Sequence, residues 1–510
     1  MHPEATRSEL SLLEQAREIG SMEMHRAGAV LSAHQKQSIM HSSRLLVAEM
    51  ERLDAMRAEL AAQVALNTAL LAPIWTIPHA LLSQIFIILV SDIPIEERDF
   101  GTPTVAHVCH DWRTVAFSTP QLWTSVNIPI LPLPIPHEVI ETFLSRSYQL
   151  PLHVRVDATG WDYLEGSIDE DQNSALALQR VAHLSASRWN RLEIWGDYSV
   201  FSLQNELELP LLESVVIVPT TWHELEDGWE QPELPLDFLA NAPNLRDVTL
   251  DVGYSNVNLP WPAIPRMTLV LREGDAAELE RIATYVSRQA EELKTLSIEH
   301  NLRSSMIPLA EIPTLEVADD DISVASQLTS VAVTGLGYQV LPTFKAPRLS
   351  SLAVKNTYQE HQENGGQGPF ASILKMMAHT SLDQTLRYLD LDGVLCYGSR
   401  SWTDLTRCLE SLRALSELRV AGGDHEDESS AGIVRARLLR WLVRDDAASL
   451  ARLPNLTHLG LYFGRNSYGV LSQVLQTLID SRRSAKVVGG VSLKALLRFS
   501  TDLGPEYELP

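Results

Sequence analysis

The chain has 510 residues, of which 45% are hydrophobic and 21% charged, so most of it can bury a sizeable core and wholesale disorder is excluded. Its 65 acidic residues exceed its 41 basic ones by 24, and so acidic a surface repels phosphate backbones and anionic lipid headgroups, which argues against nucleic acid and membranes as partners. Three cysteines are too few to cross-link such a chain and lack metal-ligand spacing, so we expect a reducing compartment, cytoplasmic or nuclear.

Residues 1–72 are predicted to be helical, because they contain one proline and are rich in Ala, Leu, Glu, Gln, Arg and Met. Spacings of four and three residues recur along a coiled-coil type of seam formed by Leu46, Met50, Leu53, Arg57, Leu60, Val64, Asn67 and Leu71. Gly20 and Gly28 weaken the helix upstream and Ser42-Ser43 offers a cap for a fresh start, so one helix and two remain open. Residues 46–71 fit a hairpin within the chain, a helix docked on the next domain, or a homodimer through a coiled coil.

A densely apolar region follows Pro73, which is expected to end the helical segment. Helical spacing predicts a helix with one broad apolar face made of Ile77, Leu81, Leu82, Ile85, Phe86 and Leu89. A second helix is expected to open at Pro103, to stop at Ser118-Thr119-Pro120, and to gather on one side Val105, Val108, Cys109, Trp112 and Ala116. A unit this small cannot bury such a surface alone, so it needs a partner or a neighbouring domain.

Two motifs in this region, Ile77–Phe86 and Val108–Trp123, together resemble the F-box. The first has Ile-Pro, then two residues, an aliphatic pair and Ile-Phe, and the second has Val-Cys, two polar residues, Trp-Arg and Pro-Gln-Leu-Trp. The resemblance implies that the unit docks a Skp-type adaptor, and through it a cullin. It assigns the adaptor contact to Ile77, Pro78, Leu81, Leu82, Ile85, Phe86, Val108 and Trp112. Ala80 departs from the family, which usually has Glu shortly after the proline.

Segments beyond the box are similar to those of the large F-box families of mushroom-forming fungi. They are Leu144–Ser147, Leu150–Val154 and Ser187–Leu192, so the resemblance is specific in motif from about Ile74 to Leu192. Those families also tend to carry a helical segment before the box. The resemblance therefore implies a substrate receptor of a Skp-cullin-F-box ubiquitin ligase.

The rest of the chain is dominated by a recurring apolar pattern of the leucine-rich-repeat kind, in which two residues and then one residue separate three apolar positions. Ten copies occur: Trp189-Leu192-Ile194, Leu212-Val215-Ile217, Leu245-Val248-Leu250, Ile264-Met267-Leu269, Leu293-Leu296-Ile298, Leu328-Val331-Val333, Leu349-Leu352-Val354, Leu386-Leu389-Leu391, Leu415-Leu418-Val420 and Leu456-Leu459-Leu461. Each predicts a short buried strand, and helix-like stretches such as Ala276–Ala290 and Phe370–His379 lie between many of them. Alternating strand and helix predict an α/β fold, an irregular leucine-rich-repeat-like solenoid with a parallel sheet.

Four domains follow from these patterns. Residues 1–72 form a helical or coiled-coil segment, 73–128 a small helical F-box-like domain, 129–180 a connecting region, and 181–510 the degenerate solenoid.

Catalytic and metal-binding motifs are not recognisable in the sequence. The glycine-rich run Asn364–Gly368 is followed by proline rather than by Lys and a hydroxyl residue, and His223–Asp227 lacks the second histidine of a zinc-protease helix. We therefore predict a protein that is not an enzyme and that has no cofactor and no metal site.

A target protein of unknown identity is expected to bind the sheet side of the solenoid, because that side commonly forms an extended concave surface. Strand alternation assigns to this face the exposed residues between the last two apolar positions, namely Thr249, Ser297, Asp390 and Arg419. The polar insertions His361–Pro369 and Gly422–Ser430 offer another recognition surface. The competing prediction is a structural or scaffolding protein that dimerises through its N-terminal helices and uses the box-like unit only for internal packing.

Overall fold

The computed structural model describes residues 12–28, 30–93, 95, 104–129, 137–158, 181–196, 207–218, 238–252, 259, 264–272, 274–300, 315, 322–357, 368–394, 396, 398–422, 436–445, 447–450, 452–463, 472–488 and 491–502. The run His223–Asp227 and nearly all of the two polar insertions lie outside these residues. The chain divides into two compact units, Met1–Ile85 and Phe86–Pro510. The predicted domain boundaries at residues 72, 128 and 180 stay predictions.

The described part of the first unit before residue 71 is largely helical, as predicted. Residues 12–19 are helical and are followed by helices α1 (Met22–Arg26) and α2 (Ala33–Leu70). Breaks fall at Gly20 and at Gly28, whose φ of 62° is a backbone conformation that suits glycine. Among the described residues no single helix is long and apolar enough to cross a membrane, and one bent pair, residues 33–76 with 79–91, passes that test of length and composition only jointly.

Helix α2 is one continuous element of 38 residues, so a fresh start at Ser42-Ser43 is wrong. Its N-terminus lies ten residues earlier, where Ser32 and Gln35 form a capping box that satisfies the first backbone N–H groups. The helix ends at Leu70 with Leu71 as its C-cap, just before Pro73, as predicted. None of its residues is buried.

The region with the F-box motifs contains helices α3 (His79–Ser91) and α4 (His110–Phe117) and three short 3-10 turns at Pro73–Thr76, Thr104–His107 and Pro120–Trp123. The single helix predicted from Pro103 is wrong, because Cys109 is extended (φ −158°) and its Sγ caps α4 by accepting the N–H of Trp112. This break leaves Val108 56% exposed, whereas Val105 and Ala116 are buried. The predicted stop at Ser118 is confirmed.

Thirteen parallel strands form one sheet in the order in which they occur along the chain. Two short pairs stand apart from it, β8 with β10 and β15 with β16. The strands are β1 (Ser125–Pro129), β2 (Leu152–Ala158), β3 (Trp189–Gly196), β4 (Ser214–Val218), β5 (Asp247–Asp251), β6 (Arg266–Leu271), β7 (Thr295–His300), β8 (Ser323–Val324), β9 (Ser330–Thr334), β10 (Phe344–Lys345), β11 (Ser351–Lys355), β12 (Tyr388–Asp392), β13 (Glu417–Ala421), β14 (His458–Tyr462), β15 (Lys486–Val488), β16 (Val491–Leu493) and β17 (Arg498–Thr501).

All ten predicted strands are strands of this sheet, namely β3 to β7, β9 and β11 to β14. Their second apolar positions pair with one another from strand to strand, for example Leu192 with Val215 and Leu418 with Leu459. Every one of the thirty motif residues is at most 3% exposed. The repeated pattern therefore marks the core-facing side of the sheet.

Eight further helices lie in the described part of the second unit: α5 (His137–Arg146), α6 (Ala276–Gln289), α7 (Pro369–His379), α8 (Leu382–Thr385), α9 (Gly398–Ser411), α10 (Ala436–Leu442), α11 (Ala447–Leu450) and α12 (Ser472–Arg482). All of them except α11 contribute residues to its hydrophobic core. Helices α6 and α7 confirm the helix-like stretches that the sequence predicts. Their buried residues, such as Ile282 and Ile373, belong to the same core as the strand residues. The structure is thus α/β, with a helical N-terminal segment and a large parallel sheet.

Candidate protein-binding surfaces

The face of the sheet opposite the core carries the residues that alternate with the buried motif positions. The residue between the second and third motif positions pairs in register from strand to strand, and we call this line of residues the outer row. It consists of Asn127, Arg155, Glu193, Val216, Thr249, Thr268, Ser297, Ala332, Ala353, Asp390, Arg419, Gly460 and Ser500. All four predicted target-binding residues belong to this row.

Thr249 and Ser297 lie in the middle of the outer row, where both are half-buried. Only Thr268 separates them in register, so two strand spacings place them about 10 Å apart. Their neighbours toward β11 are Ala332 and Ala353. The middle of the outer row is therefore lined by small side chains without charge.

Asp390 and Arg419 are direct register partners on β12 and β13. Arg419 Nη1 donates to Asp390 Oδ1 at 2.9 Å and to Asp392 Oδ2 at 3.1 Å, and Lys355 Nζ lies 3.8 Å from Asp390. The prediction that Asp390 is exposed is wrong, because these cations and the flanking strands leave it 4% exposed. Asp390 therefore serves to hold Arg419 in place, and Arg419 is the more accessible member of the pair.

The environment of Arg419 fixes its charge and its orientation. Burial by itself lowers the pKa of this guanidinium, but Asp390 and Asp392 outweigh that effect and raise the pKa above its ordinary value. The guanidinium also lies 5.0 Å from the ring centroid of Tyr462. The β12–β14 end of the face thus presents a rigid cation framed by carboxylates and an aromatic ring.

A second charged cluster, which the sequence prediction missed, lies at the opposite end of the outer row. Glu193 Oε1 lies 2.8 Å from His153 Nε2 and 2.9 Å from Arg191 Nη2, and the guanidinium of Arg155 lies 4.7 Å from the ring centroid of Trp195. Burial opposes ionisation of Glu193, yet the hydrogen bond and charge of His153, with the charge of Arg191, lower its pKa to about 2. Polar residues alternate with apolar ones through β2 and β3, and that alternation is the signal that predicts this cluster.

Helix α3 separates the predicted adaptor-binding residues into buried and exposed ones. Leu82 and Phe86 are buried at 3% and 0% exposure, and the Phe86 ring packs on Trp112 with the centroids 4.9 Å apart. These two side chains therefore stabilise the fold and are not part of an accessible surface. The opposite is true of Leu81 and Ile85, which are 58% and 47% exposed.

Four exposed, large apolar residues of α3 form one face of the helix. Leu81, Ile85, Ile88 and Leu89 follow one another at spacings of four, three and one residues, which places them on the same side of the helix, and all four are exposed. Among the other predicted contacts, Pro78 and Val108 are exposed and Ile77 and Trp112 are half-buried. Ala80 is exposed too.

A buried polar cluster joins the carboxyl ends of β5, β6 and β7. Arg272 pairs with Asp251, and the Glu278 carboxylate accepts the backbone N–H groups of Arg272 and Gly274. His300 contacts the Arg272 carbonyl through Nε2 and accepts the N–H of Leu336 through Nδ1. Burial raises the pKa of Glu278 and lowers that of His300. These bonds satisfy backbone groups at the strand ends, so the cluster organises the fold.

Comparison with known proteins identifies no relative. No protein-family model matches the chain, and no curated protein matches it significantly.

Proposed function

We propose that this chain is the substrate-recognition subunit of a Skp-cullin-F-box ubiquitin ligase, in which α3 docks the Skp-type adaptor. The observation that carries the proposal is the exposed apolar face of α3, formed by Leu81, Ile85, Ile88 and Leu89. Exposed apolar side chains grouped on one helix face mark an interaction site, and each contributes about 1.5 to 3 kcal/mol when a partner buries it fully. The resemblance of this region to an F-box favours a Skp-type adaptor as that partner. Ubiquitin transfer is then carried out by the other subunits of the ligase.

The repeated strands support an irregular leucine-rich-repeat-like solenoid as the receptor part. Ten copies of one apolar pattern occupy consecutive strands in register, and the turn before several of them is the same. At Leu212, Leu245, Leu349 and Leu456 the N–H of the first motif residue donates to the carbonyl three residues earlier. A repeat array requires that its units share a sequence pattern, a turn and a register along the sheet.

The outer row is the surface that we assign to the target protein. Its small-residue middle, around Thr249 and Ser297, allows close approach of another backbone, and Arg419 at one end and Arg191, beside the row at the other end, offer charged contacts. Basic or neutral targets are favoured, because residues after position 71 carry 34 basic and 56 acidic side chains, a net charge of −22.

The proposal is tested by co-expressing the full chain with a Skp-type adaptor and measuring co-purification. Leu81→Glu combined with Ile85→Glu should reduce adaptor capture at least tenfold, because each change places a charge in a surface that must be desolvated. Both residues are exposed, so the variant should keep the wild-type circular dichroism spectrum.

The matched control is Leu66→Glu combined with Leu70→Glu, which adds the same charges at exposed apolar positions of α2. This control should capture the adaptor like the wild type. Two outcomes would contradict the proposed contact. One is that the folded Leu81→Glu/Ile85→Glu variant still captures the adaptor like the wild type, and the other is that the control loses adaptor capture to the same extent as this variant.

A scaffolding role with dimerisation is the second candidate, and one observation favours it. Helix α2 exposes Met50, Leu53, Leu60 and Val64 of the predicted seam, each at least 42% accessible. A helix of 38 residues without a buried residue has no packing of its own to stabilise it, so a second copy is a natural partner. Adaptor capture distinguishes the two candidates, because only the receptor requires it.

A further inference from the structure

Three arginines lie together in the C-terminal part of the second unit. Arg482 is the last residue of α12 and is 1% exposed, Arg444 follows α10 and is 5% exposed, and Arg452 is half-buried. Each of them donates to at least one of the backbone carbonyls of Trp441, Leu442, Arg452 and Leu453. Arg482 Nη2 donates to the carbonyl of Arg452 at 3.4 Å, and Arg444 Nη2 donates to that of Leu453 at 3.1 Å.

These arginines bind backbone carbonyls, and the described residues supply them with almost no counter-charge. Arg482 Nε donates to Leu442 O at 2.8 Å, Arg444 Nη1 to Lys494 O at 3.0 Å and Arg452 Nη1 to Trp441 O at 3.0 Å. Within the described part of the chain, the only carboxylate in ion-pair range of the three is Glu410, which is itself half-exposed and lies 3.8 Å from Arg452 Nε. Carbonyl dipoles satisfy hydrogen bonds, but they do not neutralise three buried or half-buried positive charges.

Each guanidinium also keeps one buried N–H group that has no hydrogen-bond acceptor among the described residues. The atoms are Arg482 Nη1, Arg444 Nε and Arg452 Nε. A buried donor without an acceptor is destabilising, and an ion that is not part of the protein is one of the few ways to satisfy it. Burial, followed by the charges of Arg444 and Arg452, lowers the pKa of Arg482 to about 9, so these two cations lie close enough to Arg482 to repel it.

We infer that Arg444, Arg452 and Arg482 form a binding site for a phosphoryl group, either free phosphate or the phosphate of a small ester. Its oxygens are strong acceptors suited to the guanidinium fork, and its two negative charges offset the repulsion among the arginines. The inference is independent of the proposed receptor function. It makes the C-terminal end of the sheet responsive to the phosphate content of the surroundings.

The test uses the full chain in a chloride buffer held at constant ionic strength. Inorganic phosphate should bind saturably in calorimetry, and the melting temperature should rise with each tenfold increase in phosphate, because a ligand that binds only the native state stabilises it. Arg482→Met should lose the phosphate-dependent rise, whereas Arg483→Met, which removes the exposed neighbouring charge, should keep it. Arg452→Gln, at the half-buried edge of the cluster, should weaken binding at least tenfold and provides the test if Arg482→Met does not fold.

Phenyl phosphate used in place of inorganic phosphate separates the two sources of the group. Binding of inorganic phosphate alone indicates the free ion, and binding of both indicates a site open to esters; each supports the inference. A wild-type chain that binds neither, or an Arg483→Met variant that loses the effect as fully as the folded cluster variants, would overturn it.

Discussion

Asp390 and Glu193, two buried carboxylates of the outer row, are each held by neighbouring side chains that compensate their charge. Asp390 is enclosed because Arg419 stands beside it in register, and Glu193 is enclosed because His153 on β2 and Arg191 on its own strand reach it. Removing one member of such a group leaves the other charge with a desolvation cost and no compensation. These residues therefore set the shape of the face before any target arrives.

The ionisation of Glu193 predicts how the stability of the chain depends on pH. Its pKa is lower in the native chain than in the unfolded one, so its stabilising effect is complete above about pH 4.5 and is lost as the pH falls toward 2. Glu193→Gln should lower the free energy of unfolding near pH 6 by about 1 to 3 kcal/mol. The difference from the wild type should shrink by about 1 kcal/mol between pH 6 and 3.5, since solvent screening moderates the full effect.

The measurement is urea denaturation of both chains across this pH range. Glu208→Gln, which changes an exposed carboxylate before β4, is the control and should track the wild type at every pH. A pH-independent difference for Glu193→Gln would show that its carboxylate is not held ionised by its neighbours.

Individual capping residues determine where helices α2 and α4 begin. Gly28 and the capping box at Ser32 start α2, whereas Cys109 uses its Sγ to start α4 in the middle of an apolar run. Hydrophobic periodicity alone does not reveal that second break, because Val105 and Ala116 keep helical spacing across it. Capping chemistry, rather than the apolar pattern, determines these boundaries.

The exposed seam of helix α2 predicts that the chain forms a dimer. If its seam is a dimer interface, the full chain should sediment as a dimer in the micromolar range, and Leu53→Glu with Leu60→Glu should convert it to a monomer by placing charges at core positions. Leu45→Glu with Leu66→Glu adds the same charges off the seam and should leave the dimer intact. A wild-type chain that sediments as a monomer would remove dimerisation from the account and leave the hairpin.

Along the whole sheet, the repeated apolar pattern predicts ten of the thirteen strands. The sequence does not predict β1, β2 and β17, and each of these omissions has a physical reason. Trp123-Val126-Ile128 has the same spacing, and its last two residues lie in β1, but Trp123 also ends the run that resembles an F-box, which hides the repeat. At β2 a proline stands in the first position, and at β17 a threonine stands in the third. Core-facing positions are thus predictable, because burial selects their residue types one at a time.

Pairings across strands are what the sequence does not predict. Glu193 and His153 are 40 residues apart, and so are Arg482 and Leu442. Their contact depends on register and on loop lengths that no local pattern encodes. The four predicted outer-row residues were found because alternation is local, but the burial of Asp390 was not, since it depends on Arg419 and Lys355 from other strands.

A last prediction concerns how stability is distributed along the sheet. In a repeat array each unit contacts only its neighbours, so a local defect should loosen the nearby strands and leave distant ones protected. Leu192 on β3 and Leu459 on β14 occupy the same motif position, are both fully buried, and lie about 40 Å apart along the sheet. Each Leu→Ala change should cost about 2 to 5 kcal/mol.

Hydrogen exchange followed by mass spectrometry should then give mirror-image results. Leu459→Ala should raise exchange in β13, β14 and β17 while β2 to β4 keep wild-type protection, and Leu192→Ala should do the reverse, because each cavity weakens only the interfaces on either side of its own strand. The two variants are controls for each other, since they remove the same atoms at the same depth. An equal rise over all thirteen strands in either variant would mean that the sheet opens as one cooperative block, and the solenoid proposal would have to be withdrawn.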